Sequence, residues 1–128
     1  MIDLLPIAAF LVLLLFGGHA IADYGLQSAY MAEKKVPSDG NPDWGVTLGA
    51  HCLIHAFFVA VISFLFLGFA GAYAVGWAAL FGWGEFIAHF AIDRRKGRGK
   101  LTYKQDQALH YGCKLLWAGI IMNVAFYP

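Results

Sequence analysis

A chain of 128 residues makes one domain at most. Hydrophobic residues make up 60% of it and charged residues 13%, more apolar side chain than a soluble domain of this size can bury, so a soluble enzyme or binding module is excluded. The net charge of +1 says little about partners, and Cys52 and Cys113, both in apolar segments, are too few for a disulfide framework.

The apolar run from Leu4 to about Gln27 is long enough to cross a bilayer, which takes about 20 helical residues. A first helix is expected over about 4–30, with Pro6 in its first turn, where a missing N–H costs little. Asp3 stands where a cleavable leader would carry basic residues, so this run is expected to be a retained membrane segment. Met31 to Trp44 is polar and interrupted by Pro37, Gly40 and Pro42, and reads as a loop. A second span is expected over about 45–69 and a third over about 72–93, joined by a tight turn at Gly68 and Gly71. Arg94 to Lys100 reads as a short basic loop, and Thr102 as the cap of a fourth helix over about 103–126. The expected fold is therefore an all-α bundle of four transmembrane helices.

Four spans put the two longer loops on one side of the membrane and both termini on the other. Lys34, Lys35, Arg94, Arg95, Lys96, Arg98, Lys100 and Lys104 all belong to the loop side, with Lys114 left inside the last helix. An excess of Lys and Arg marks the cytoplasmic face, so both termini are expected on the non-cytoplasmic side.

Each histidine has a polar partner four residues away, on the same helix face. His19, Asp23 and Gln27 stripe the first helix, and His51 and His55 the second. Glu85, His89 and Asp93 stripe the third, and Asp106 and His110 the fourth. Given the alternating helix directions, all four stripes fall just inside the cytoplasmic interface. Ionisable groups at membrane depth are costly unless they are paired, hydrated or metal-bound, which favours turning them inward to meet. A lone histidine on an apolar helix is usually a hydrogen-bonded core residue, and each His-x-x-x-Asp pair can satisfy itself. Four stripes at one depth favour a shared metal centre over four separate coincidences.

Imidazole and carboxylate donors without thiolate suit a divalent metal: zinc first, with manganese or iron as alternatives. The expected ligands are His51, His55, His89, His110, Asp23 and Asp93, enough for one metal or two. Asp106 or His19 is the expected general base, and Gln27, Glu85 and Gln107 are expected to orient neighbouring ligands. Arg94, Arg95 and Lys96 follow Asp93 directly and form a candidate clamp for phosphate or an anionic lipid headgroup. The run is too short and plain for nucleic-acid specificity. Small residues such as Gly68, Ala70, Gly71, Gly76 and Ala79 permit close helix contacts within the chain or in a homo-oligomer.

The residues support a metal-dependent hydrolase acting at the inner-leaflet interface on a phosphate- or lipid-type substrate. Two other readings use the same residues. A metal or proton transporter needs polar groups continuing to the outer side, where only Ser63, Glu85, Lys114 and Asn123 are available. A non-enzymatic envelope-interaction or exclusion protein would use the metal only to hold the bundle together.

His19-x-x-x-Asp23-x-x-Leu26-Gln27 with Met31-Ala32-x-Lys34, His51-x-x-x-His55, His89-x-x-x-Asp93-x-x-Lys96 and Asp106-Gln107-x-x-His110 occur in this order along nearly the whole chain. In this the chain resembles a small membrane-protein family of bacteria and tailed phages, catalogued as a domain of unknown function. The resemblance implies a multi-pass protein of the bacterial inner membrane and carries no activity with it. The arrangement is also similar in architecture to membrane-bound metal-dependent hydrolases, an analogy of fold alone.

Overall fold

Helices account for nearly all of the ordered backbone in the computed structural model, which describes residues 4–70 and 73–127. They are α1 (Leu4–Ala20), α2 (Ala29–Lys34), α3 (Trp44–Phe69), α4 (Ala74–Gly97) and α5 (Tyr103–Phe126), with a π-helical turn at Ile21–Gly25 extending α1. Four of these units are long and apolar enough to cross a membrane: α1 with its π turn, α3, α4 and α5. The protein is an all-helical, multi-pass membrane protein. The four spans form a ring in which α1 abuts α3 and α5, and α4 abuts α3 and α5, with α3 and α5 also touching across the middle.

The distribution of side chains is that of a bundle in lipid. Leu5, Leu13, Phe57, Leu80, Ile87 and Leu115 all face outward and are exposed. The interior divides along its length. One half is apolar, filled by Leu11, Leu15, Val59, Leu67, Phe81, Ala118 and Ile121. The other half holds His19, His51, His55, Glu85, His89, Asp106, His110 and Lys114, all buried.

The α3–α4 pair makes the most extensive contact in the bundle. A Cβ at Gly82 would lie 3.1 Å from Ala60 Cβ and 3.3 Å from the Ala56 carbonyl oxygen, so the absent side chain sets how closely the two backbones approach. Gly82→Leu is expected to destabilise the protein by about 1–3 kcal/mol through overpacking, read as a lower unfolding midpoint in detergent. The other small residues read as contact points do not all act this way: Gly68 and Gly76 face open space, and Gly71 lies outside the described residues.

Helix boundaries differ from the sequence expectation in three places. The first helix does not run unbroken to residue 30. Its Leu26 N–H bonds to the Ile21 carbonyl at 2.9 Å, closing a π turn, and Ser28 then caps the separate α2 through the Met31 N–H at 3.1 Å. The Met31–Trp44 segment therefore begins helical, and Asn41 ties its remainder together by donating to the Lys34 carbonyl at 2.6 Å. Helix α4 continues past Asp93 to Gly97, so Arg94, Arg95 and Lys96 form its last turn rather than a loop. Gly99, at φ +70°, ends it, with the Lys100 N–H returning to the Arg95 carbonyl at 3.0 Å. The cap on α5 is as expected: Thr102 and Gln105 form a reciprocal capping box.

Candidate metal centre

The polar end of the bundle is assembled from every span. The π turn widens the end of α1 where Asp23 sits, and brings its Oδ1 to 3.1 Å from His55 Nε2 and 3.4 Å from His51 Nε2, both on α3. Such turns recur at functional sites because they re-aim one residue without breaking the helix. Asp23 Oδ2 is also 3.4 Å from His19 Nε2, and His19 Nδ1 is 3.2 Å from His55 Nδ1. Helix α4 contributes Asp93, whose Oδ1 accepts from His110 Nε2 at 3.0 Å and lies 3.7 Å from His89 Nε2. Asp93 Oδ2 lies 3.6 Å from His51 Nε2. Helix α5 adds Asp106, with Oδ1 3.5 Å from His110 Nε2. The imidazoles are in mutual contact: the His55 and His89 rings stack at 3.7 Å, and His89 and His110 lie 4.1 Å apart.

All five histidines and Asp23, Asp93 and Asp106 thus meet in one cluster. His19 sits behind His55, away from the open side, whereas Asp106 faces the opening. Gln107 donates to Asp106 Oδ2 at 3.3 Å, while the Gln27 amide oxygen is buried without a partner. Glu85 lies one turn further in. It accepts from His89 Nδ1 at 3.2 Å, from Lys114 Nζ at 2.5 Å and from Trp117 Nε1 at 2.7 Å. Each Glu85 oxygen is thereby satisfied, and the negative charge is matched by an ammonium group.

Two cations in this network were not legible as site residues. Lys114 looks like a stray charge in an apolar helix, because its partner Glu85 is 29 positions away on another helix. Lys35, just beyond α2, reaches 58 positions along the chain to donate to Asp93 Oδ2 at 2.7 Å. No helical spacing announces either pairing.

A cleft of about 320 Å³ reaches the centre, lined by Asp23, Asp93, Asp106, Gln27 and Gln107. Lys35, Lys96, Tyr24 and Tyr103 also line it, and the two exposed tyrosine hydroxyls are 2.6 Å apart. Gly97 brings α4 against the α2–α3 loop, since a Cβ there would lie 2.6 Å from Pro37 Cδ. Of the three basic residues expected to clamp an anion, only Lys96 lines this cleft. Arg94 lies over the Trp44 ring at 5.8 Å, and both it and Arg95 are exposed.

The donor chemistry fits a divalent cation. Buried nitrogens of His19 (Nε2), His51 (both), His89 (Nε2) and His110 (Nδ1), and Asp106 Oδ1, have no hydrogen-bond partner. Unpaired buried polar atoms are costly, and so many in one place call for a common partner. Three groups of donors each lie within 4.8 Å of one another: Asp23, His51, His55 and His89; His19, His89 and His110; and Asp93, Asp106 and His110. Lys114 pairs with Glu85 and Lys35 with Asp93, whereas the carboxylates of Asp23 and Asp106 face imidazoles and no lysine or arginine. Such a mixed set of imidazole and carboxylate donors suits a divalent ion.

The fold and this cluster define the class: a four-span helical membrane protein with a buried histidine–carboxylate centre open at one end. The chain belongs to the family described as "Protein of unknown function (DUF3307)", whose model matches residues 10–125. The resemblance carried by the His-x-x-x-Asp and His-x-x-x-His motifs pointed to a family of that kind. No curated protein and no solved structure matches the chain.

Proposed function

We propose that the protein is a metal-dependent hydrolase of the bacterial inner membrane, acting at the cytoplasmic leaflet on a phosphate-type substrate such as a lipid headgroup. The observation that carries this reading is the cleft, whose lining includes three carboxylates of the donor cluster together with Lys35 and Lys96. A purely structural metal would need no such opening, since structural sites are closed by protein ligands.

His51, His55, His89 and Asp23 would hold a divalent cation, zinc by preference, with His110 and Asp93 beside it. Such a cation lowers the pKa of a coordinated water toward neutrality, which is the source of a nucleophile at ordinary pH. Asp106, which lines the cleft, would take up the proton of that water when a single ion is bound. Lys35 and Lys96 would orient the anionic group of the substrate, and His19 and Glu85 would hold His55 and His89 in the ligating tautomers. The distal half of the bundle supports catalysis over transport. Past Glu85 and Lys114 the axis is filled by Leu11, Leu15, Val59, Phe81 and Ile121, and Ser63 turns its hydroxyl back to the Val59 carbonyl at 2.7 Å.

The test is release of phosphate or headgroup from vesicles of defined phospholipids by the purified, zinc-loaded protein. Chelation is expected to abolish turnover and zinc to restore it. Metal-bound protein that leaves every phosphate ester and phospholipid intact would count against hydrolysis. Lys96→Ala is expected to raise KM about tenfold, the effect of losing one charge-assisted contact, with metal content unchanged. An unchanged KM would remove Lys96 from the substrate site.

A further inference from the structure

We infer that the centre is built for two metal ions bridged by Asp93, which deepens the metal reading above and rests on it. Of the three donor groups, two share no residue: Asp23, His51, His55 and His89 on one side, and Asp93, Asp106 and His110 on the other, while the third joins His19 to His89 of the first and His110 of the second. Within each group the donor atoms lie close enough to converge on one ion, and among the described residues no group takes in both Asp23 and Asp106. Seven donors in two disjoint sets exceed what a single four-coordinate ion takes.

Asp93 belongs to the second set and also reaches the first. Its Oδ1 lies 3.0 Å from His110 Nε2 in its own set and 3.7 Å from His89 Nε2 in the other. Its Oδ2 faces His51 Nε2 of the Asp23 set at 3.6 Å. A carboxylate presented in this way bridges ions about 3.5–4 Å apart, the spacing that clamps the attacking and leaving oxygens of a displacement at phosphorus. Both sets also contain buried atoms that lack partners: both nitrogens of His51 and Nε2 of His89 on one side, and Asp106 Oδ1 and His110 Nδ1 on the other. One ion would satisfy one set and leave the other orphaned.

Lys35 fits the same scheme. Its ammonium bonds to Asp93 Oδ2, the oxygen that faces the Asp23 set. There it occupies the place of positive charge beside the bridge. With both ions bound, Asp93 has no need of Lys35, and the ammonium is released into the cleft it already lines. Two divalent ions with Lys35 and Lys96 then outweigh the carboxylates, and that excess selects an anionic ligand.

The experiment loads the detergent-purified full chain with Zn(II) for metal analysis after desalting, and with Mn(II) for electron paramagnetic resonance. The wild type is expected to retain two zinc ions per chain and to show an exchange-coupled manganese spectrum. Asp106→Asn and Asp23→Asn are each expected to retain one zinc ion and to show an uncoupled six-line manganese signal. Circular dichroism and the unfolding midpoint confirm that each variant is folded, and Lys104→Ala, at an exposed position outside both donor sets, should still hold two ions. One ion per wild-type chain overturns the bridged pair and leaves the metal-dependent function standing. Two ions without exchange coupling overturn Asp93 as the bridge. No retained ion of either metal overturns both the pair and the proposed function.

Discussion

Lys114→Met is expected to be among the most destabilising single substitutions in this chain. Lys114 and Glu85 are each 1% exposed, and their ion pair lies inside the bundle at membrane depth. Removing the ammonium leaves Glu85 as an uncompensated buried carboxylate, held only by His89 and Trp117. Breaking a buried pair in this way costs about 3–5 kcal/mol, whereas replacing both charged partners with neutral groups of similar size is often nearly neutral. The double variant Glu85→Gln with Lys114→Met should therefore recover most of the loss. Glutamine keeps its amide oxygen as acceptor for Trp117 Nε1 and presents its amide N–H to His89 Nδ1, which accepts in its other tautomer. Unfolding midpoints of the two single variants and the double variant, measured in one detergent, form the cycle that tests this. Equal destabilisation by the double variant and by Lys114→Met alone would show that the pair is not the source of the effect.

The second large effect is on Asp93. This carboxylate contacts His110 and Lys35 directly and faces His51 and His89, so α3, α4, α5 and the segment just after α2 meet at it. Asp93→Asn keeps the shape and removes the charge. It is expected to lower metal affinity by more than about 100-fold, beyond the range seen for residues that only support a ligand. Hydrolysis should fall with it. Stability should change less, because the amide oxygen still accepts from one of Lys35 and His110, which bond to different oxygens of the carboxylate. Isothermal titration with Zn(II), together with the unfolding midpoint, separates the two. Wild-type zinc affinity in the folded Asp93→Asn protein would take this residue out of the centre.

Much of this arrangement is legible in the sequence because it follows from periodicity. Residues four apart on a helix share a face, so His51 with His55, and Asp106 with His110, are fixed as neighbours by spacing alone. Alternating helix direction then places all four stripes at one level, and the bundle brings them into contact. What could not be read depends on departures from regular helix and on pairs between helices. The π turn leaves no mark in the composition of Ile21–Gly25, yet it aims Asp23 at α3. Lys35 falls in what reads as a solvated loop, and only the short helix α2 and the Asn41-pinned segment after it carry its side chain to Asp93. Arg94 and Arg95 show the opposite failure. Their place next to Asp93 in sequence suggested a clamp, but on a helix that continues to Gly97 consecutive residues turn about 100° apart, and only Lys96 comes round to the cleft. The glycines divide in the same way. Gly82 works because Ala56 and Ala60 happen to lie opposite it, which no pattern within α4 reveals.

Zinc K-edge X-ray absorption on the loaded, purified protein reads out whether the buried imidazoles and carboxylates bind metal. Nitrogen and oxygen neighbours are expected at about 2.0–2.2 Å, with the outer-shell scattering of several imidazoles and no sulfur. Absence of bound zinc after metal-replete loading, or a thiolate-dominated shell drawn from Cys52 or Cys113, would contradict binding by these groups.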